Sequence, residues 1–286
     1  MKYTKALLLS GGNGSRLKPI TNLINKHFLP VYDKPMIFYS LSIIMLSKIR
    51  DICIVSDEKS IIKFKSFFDD GKWLGIKITY LIQKKPLGIS NAIKISETFI
   101  KKSNFSLMLG DNFFYGSDLT GYFNELQNNK FETNIFSYNS KYPNKFGVIK
   151  ETKNKIKIIE KPNKFISNRV VPGLYFLPNK SIYLSKKLKK SKRNEFEITD
   201  LLNILLLKDK YKIHNLNRGV TWMDLGTLNS LIQAGQFIRS IEDNNFNKIA
   251  CLEEISLKNN WISKINIKLM KDKYGDTDYF NYLKKL

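Results

Sequence analysis

The chain has 286 residues, 43% of them hydrophobic and 13% aromatic, enough to bury the core of one large or two closely joined α/β domains. No stretch approaches the roughly twenty apolar residues that span a bilayer, and the N-terminal apolar run is too short for a secretory signal core. With 48 Lys and Arg against 25 Asp and Glu, the net charge is +23, which raises nucleic-acid binding as one reading. No helix-turn-helix, zinc-finger or RNP pattern accompanies the densest basic run, Ser185 to Arg193, and a solvated, lysine-rich helix end is the preferred reading of it. Cys53 and Cys251 are too few and too isolated for a disulfide framework or a thiolate zinc site, and a cytoplasmic protein is expected. The only histidines, His27 and His214, leave little room for a histidine-based triad or a poly-histidine metal site. A bound metal is therefore expected to be a hard cation on carboxylates, as Mg²⁺ is.

The chain opens with an apolar strand, residues 5–10, running directly into Ser10-Gly11-Gly12-Asn13-Gly14-Ser15-Arg16-Leu17. Three glycines let the backbone turn tightly and bring its N–H groups against a ligand, and an arginine follows within reach, so the loop is suited to an anion, phosphate first. It is neither a Walker loop nor a dinucleotide fingerprint, because it lacks the Gly-Lys-Ser/Thr ending and the third glycine of G-x-G-x-x-G. Further strands are expected at 51–56, 76–83, 106–109 and 133–138, alternating with helices near 36–48, 60–68, 88–100 and 119–128. That alternation is the signature of a parallel sheet covered by helices.

From about residue 146 the pattern turns to extended segments, at 146–150, 156–160 and 170–176, before helices near 181–188 and 198–208 and a strand at 212–216. Gly226-Thr227 opens a helix to about residue 241, followed by a polar break at 242–245 and a C-terminal helical tail. The expected architecture is α/β, with a Rossmann-like, mixed and mostly parallel sheet flanked by helices. Its main domain is expected to cover 1–241, with one lobe at about 1–140 and a second at about 141–241, and residues 242–286 form a C-terminal helical segment.

Ligands of open α/β sheets sit at the carboxyl ends of the strands. The Gly11–Arg16 loop and Leu109-Gly110-Asp111-Asn112 both follow strands there, so an anion loop faces a carboxylate. Asp111 and Asp224, each at a strand end, are candidate Mg²⁺ ligands, with a turn or helix cap as the alternative for either one alone. Lys26 and Lys161 are candidate phosphate partners, singled out by their motif context rather than by charge.

Several words of this chain, in order, resemble the sugar nucleotidylyltransferase family and within it the glucose-1-phosphate thymidylyltransferases. They are Gly11-Gly12-Asn13-Gly14-Ser15-Arg16-Leu17, Phe28-Leu29-Pro30-Val31-Tyr32-Asp33-Lys34-Pro35-Met36-Ile37, Leu109-Gly110-Asp111-Asn112-Phe113-Phe114-Tyr115-Gly116, Glu160-Lys161-Pro162, Gly173-Leu174-Tyr175-Phe176, Glu195-Phe196-Glu197-Ile198-Thr199-Asp200 and Trp222-Met223-Asp224-Leu225-Gly226-Thr227. The resemblance implies that Gly11, Gly12, Gly14, Ser15, Arg16 and Lys26 hold a nucleoside triphosphate, with Gln83 and Gly88 at the base. It implies that Asp111 and Asp224 hold Mg²⁺, and that Lys161 binds the sugar phosphate. Gly147, Glu160, Gly173 and a glutamate of the Glu195–Glu197 pair, Glu197 by motif position, would contact the hexose beside Asp111.

The implied reaction is attack of a sugar 1-phosphate oxygen on the α-phosphorus of dTTP, giving dTDP-glucose and pyrophosphate on the way to dTDP-rhamnose, with Arg16, Lys26 and Lys161 as the catalytic cations. A phosphomonoester has a second pKa of about 6, so the nucleophile is already an anion near neutral pH and needs no general base. Ser15 stands where the family usually has threonine, and Leu87 replaces the acidic residue common in the thymidylyltransferases, which leaves UTP as an alternative donor. Pro172 and Leu225 are further departures. The tail resembles that of the short, tetrameric members, which implies a homotetramer and an end-product site near Tyr115, Gly116, Arg218, Gly219 and Glu254. A non-catalytic nucleotide-sugar sensor on the same fold is the other alternative.

Overall fold

A computed structural model describes residues 2–153 and 155–286. The elements run β1 (Tyr3–Leu9), β2 (Pro30–Val31), β3 (Lys34–Pro35), α1 (Met36–Leu46), β4 (Asp51–Ser56), α2 (Glu58–Phe68), β5 (Lys77–Ile82), α3 (Ile89–Ile95), α4 (Glu97–Ile100) and β6 (Asn104–Leu109). Then come β7 (Asn112–Tyr115), α5 (Leu119–Asn128), β8 (Thr133–Asn139), β9 (Gly147–Thr152), β10 (Lys155–Glu160), β11 (Arg169–Val170), β12 (Leu174–Leu177), α6 (Ser181–Lys186), α7 (Ile198–Lys208), β13 (Tyr211–Asn215) and β14 (Thr221–Asp224). The chain ends with α8 (Leu228–Asn244), α9 (Leu252–Lys258), α10 (Lys264–Leu269), α11 (Lys271–Tyr274) and α12 (Asp278–Leu283).

The main sheet is mixed, in the order β10-β9-β11-β8-β12-β6-β1-β4-β5, with β13 also on β8. From β6 through β1 and β4 to β5 every pairing is parallel, while β12 enters antiparallel between β6 and β8. Strands from either side of residue 141 thus share one sheet. Along β1, Ala6 and Leu8 face one core with α1 while Leu7 faces the other with α3 and α7, the period of two that a strand buried on both faces requires. Helix α1 is buried at every position from Met36 to Met45, as a helix apolar all round must be.

Three expected elements differ. The extended run at 170–176 is interrupted, because Val171 N donates to Gly147 O at 2.9 Å and Gly173 N to Asn112 Oδ1 at 2.9 Å, turning the backbone toward the site. The helix at 88–100 divides at Ser96, whose hydroxyl bonds back to Ala92 O at 2.7 Å and competes with the helical ladder. Of the polar break expected at 242–245, residues 242–244 are instead the last turn of α8 and only Asn245 leaves it, because the Glu242 carboxylate is taken up by Lys34 at 3.3 Å, Lys248 at 3.0 Å and the amide of Ile249 at 2.8 Å. The pairing of β7 with β14, which joins Asn112 to Asp224, has no period-two signal strong enough to announce it.

Candidate active site

Strand β1 has β4 on one side and β6 on the other, so the chain reverses direction of travel across the sheet there. Such a switch point leaves a crevice at the strands' carboxyl ends. Gly110 N donates to Leu9 O at 2.8 Å, tying the two strand ends together. Gly14 then starts a single turn, Ser15–Leu17, in which buried Leu17 anchors the loop and Ser15 and Arg16 stay exposed. The Arg16 guanidinium lies against Gly226, where any side chain would collide with it, and is 3.5 Å from Asp224. A second short turn, Lys26–Phe28, is capped by Asn25, whose Oδ1 accepts from His27 N at 2.9 Å and whose Nδ2 donates to Ser10 O at 3.0 Å. That cap directs the Lys26 ammonium onto the Asp111 carboxylate in a buried ion pair.

Gln83 follows β5 and donates from Nε2 to Asn91 Oδ1 at 2.9 Å and to Gly88 O at 3.3 Å, while its Oε1 stands beside Gly11. Gly88 has φ of 98°, and a Cβ there would lie 2.7 Å from Phe196 O. Only glycine meets both conditions. The expected nucleotide residues Gly11, Gly12, Gly14, Ser15, Arg16, Lys26, Gln83 and Gly88 are therefore gathered around one loop.

Beside it opens a pocket of about 190 Å³ whose wall includes Arg16, Asp111, Glu160, Lys161, Glu197 and Asp224, with Gly147 and Gly173 among its lining. Glu160 closes β10, and Lys161 follows in a left-handed backbone conformation with its N–H on Phe146 O at 3.0 Å. Glu197, at the start of α7, accepts from Ser191 Oγ at 2.6 Å. Two lining residues carry more than expected. Arg193 pairs with Glu160 at 2.9 Å, with Glu195 at 3.0 Å and with Glu197 at 3.8 Å, so the last residue of the run read as solvated belongs to the pocket wall. Asn112 Oδ1 accepts from both Gly173 N at 2.9 Å and Trp222 Nε1 at 2.8 Å, holding three segments in register. Glu195 and Glu197 are near Arg193 in sequence, but Glu160 joins them only after β10 folds alongside, which is why charge alone mislabels Arg193.

The two strand-end carboxylates differ. Burial by itself would raise Asp111, but the Lys26 ammonium beside it outweighs this and holds the carboxyl well below the usual carboxylate range. Asp224 is pushed up, first by burial and then by the negative charge of Asp111, with Arg16 opposing. Glu160 is raised by burial, against the pull of Lys161. Arg16, 3.5 Å away, only partly offsets the burial and the Asp111 charge that act on Asp224, and a hard divalent ion would fit the remaining deficit. Among the described residues no group of three or more His, Cys, Asp or Glu forms a metal cage.

A separate pocket of about 400 Å³ lies between α1, β7 and α9, and Tyr115, Gly116, Lys248 and Glu254 line it. Arg218 and Gly219 are not in that wall; the Gly219 carbonyl packs behind Gly116.

Cations poised for phosphate oxygens, at the switch point of a nucleotide-type sheet, are the apparatus of a nucleotidyltransferase. The chain belongs to the Nucleotidyl transferase family, which it matches over residues 5–241. It is 39% identical over 284 residues to a glucose-1-phosphate thymidylyltransferase of Neisseria meningitidis, covering 99% of both chains. It is 37% identical over 288 residues to one of Xanthomonas campestris, covering all of this chain and 98% of that one. A solved Bacillus anthracis structure described as a glucose-1-phosphate thymidylyltransferase, in complex with sucrose, superposes with a TM-score of 0.76 at 35% identity, over 86% of this chain and 98% of the other. A UDP-glucose pyrophosphorylase shares the fold, with a TM-score of 0.73 at 23% identity, over 85% and 100% of the two chains.

Proposed function

We propose that this enzyme transfers a thymidylyl group from dTTP to glucose 1-phosphate, yielding dTDP-glucose and pyrophosphate. The observation that carries the reading is the meeting of Arg16, Lys26, Asp111 and Asp224 with Lys161, Glu160 and Glu197 at one crevice, supported by full-length relatives of that name. The backbone of the 11–15 loop and Lys26 hold the triphosphate, and Arg16 faces the phosphate undergoing attack. Lys161 orients the sugar phosphate, while Glu160 and Glu197 accept hydrogen bonds from sugar hydroxyls. Arg193 keeps these glutamates from repelling one another. Mg²⁺ held by Asp111 and Asp224 would offset charge on the α-phosphate. The barrier falls through in-line positioning and charge neutralisation, without a side-chain base.

The test is pyrophosphate release with glucose 1-phosphate and Mg²⁺, comparing dTTP, UTP, CTP, ATP and GTP. Fastest release with dTTP supports the reading. Fastest release with UTP replaces the donor, for thymine and uracil offer Gln83 the same imide edge, and no release with any sugar phosphate favours a sensor. The pocket at Tyr115, Gly116 and Glu254 is, on this reading, where a dTDP-sugar end product inhibits, and the chain works as a homotetramer. Light scattering and inhibition by dTDP-rhamnose test those two points.

A further inference from the structure

The glycine loop and Lys26 separate two pockets. One is the sugar-side pocket; the other, about 350 Å³, is walled by Gly12, Asn13, Lys26 and, from α2, Lys59, Ser60 and Lys63. Lys26 belongs to both settings, since its ammonium pairs with Asp111 of the first. We propose that this second pocket receives the departing pyrophosphate, with Lys59 and Lys63 as its binding residues. The inference rests on the transferase reading.

The chemistry sets the direction. A sugar-phosphate oxygen forms a bond to the α-phosphorus as the bond from that phosphorus to the β-bridging oxygen breaks, and the electron pair leaves with pyrophosphate. Entering and leaving oxygens lie in line on opposite sides of the phosphorus. With the sugar phosphate entering from the Lys161 side, the diphosphate departs across the loop, past Lys26.

The pocket's charges match such a guest. Lys59 and Lys63 lie one helical turn apart, both exposed, and neither has a carboxylate partner among the described residues. Like charges at that spacing repel, a cost that a bound polyanion removes. Lys63 Nζ stands 5.7 Å from the centroid of the Phe28 ring, in the pocket wall. The one carboxylate in the wall, Asp57, is occupied as the cap of α2, accepting from Ser60 N at 3.0 Å, Ser60 Oγ at 2.6 Å and Asn25 Nδ2 at 3.2 Å. It keeps its charge but forms no ion pair with either lysine, so the two ammonium groups outnumber it in the wall.

The test is the reverse reaction, pyrophosphorolysis of the nucleotide sugar, in K59M/K63M. The KM for pyrophosphate is expected to rise about tenfold, while forward KM values for the triphosphate and for glucose 1-phosphate change less than about twofold. K59R/K63R is expected to restore the reverse KM. K264M/K268M, which removes the same charge from exposed positions of α10, controls for the long-range field. An unchanged pyrophosphate KM overturns the inference, as does an equal rise in the triphosphate KM or an equal effect in the control. Absence of pyrophosphorolysis in the unaltered chain overturns the transferase reading itself and this inference with it.

Discussion

Arg16 and Asp224 are the two side chains whose roles depend most on each other, an exposed guanidinium facing a half-buried carboxylate at 3.5 Å. Arg16→Gln is expected to lower kcat by about 10²-fold or more, as loss of one transition-state charge partner does elsewhere, with little change in the KM for sugar phosphate. Steady-state kinetics decide, and a drop confined to KM would reassign Arg16 to ground-state binding. If Asp111 and Asp224 hold Mg²⁺, chelation abolishes turnover, Mg²⁺ restores it, and Asp224→Asn stays folded but inactive. His214 makes a different, structural prediction. Burial lowers its pKa to about 4 from an ordinary 6.5, so below pH 6.5 the unfolded chain takes a proton that the native state refuses. Stability is therefore fully present above pH 6.5 and is lost as pH falls toward 4. His214→Gln, which can still reach Asn134, is expected to show a smaller fall in Tm between pH 7.5 and 5 than the unaltered chain.

At the scale of elements, the end of α8 shows how a partner extends a helix. Glu242, Asp243, Asn244 and Asn245 read as a break because short polar side chains compete with the backbone. The Glu242 carboxylate instead closes a buried charge cluster with Lys34 and Lys248, both of which also bond Asp33. Removing one member leaves the others uncompensated, which costs about 3–5 kcal/mol when the pair is buried. Glu242→Gln should lose stability on that order in urea denaturation; a change below about 0.5 kcal/mol, the range of surface substitutions, would show the cluster to be dispensable. Gly88→Ala tests the turn before α3. Its positive φ and the Phe196 carbonyl both oppose a methyl group, so a raised triphosphate KM through displaced Gln83 is the expected kinetic result.

For the molecule as a whole, the C-terminal helices are fastened by carboxylates rather than by a large apolar face alone. Buried Glu253 accepts from the hydroxyls of Tyr274 and, at 2.6 Å, Tyr279, while Glu254 accepts from Tyr282 at 2.6 Å. Glu254 also lines the 400 Å³ pocket, so if a dTDP-sugar inhibits there, Tyr282→Phe is expected to weaken that inhibition while leaving uninhibited turnover unchanged, as dose–response curves would show. The charge of +23 is distributed over many segments. Filter binding is expected to show no retention of DNA at about 0.15 M salt, where non-specific phosphate contacts are heavily weakened.

Much of this protein is set by local sequence. Ala6–Leu9 can only be a buried strand, the glycines after it can only be a tight turn, and the alternation of apolar strands with amphipathic helices admits few sheets. The positions of the glycine loop, Asp111 and Asp224 were legible for the same reason, since each sits where a strand ends, whereas Glu160 and Lys161 stood out only through their motif context. What tertiary structure alone decided is which charges share a space. Arg193 lies in a lysine-rich run and Glu242 in a polar one, and although Glu195, Glu197 and Lys248 lie within six residues of them, a solvated side chain can have such neighbours too. The partners that place them in a shared wall, Glu160 of β10 for Arg193 and Lys34 of β3 for Glu242, come from distant strands. Electrostatic role depends on separation and burial in three dimensions, quantities that a linear chain does not contain until the sheet has formed.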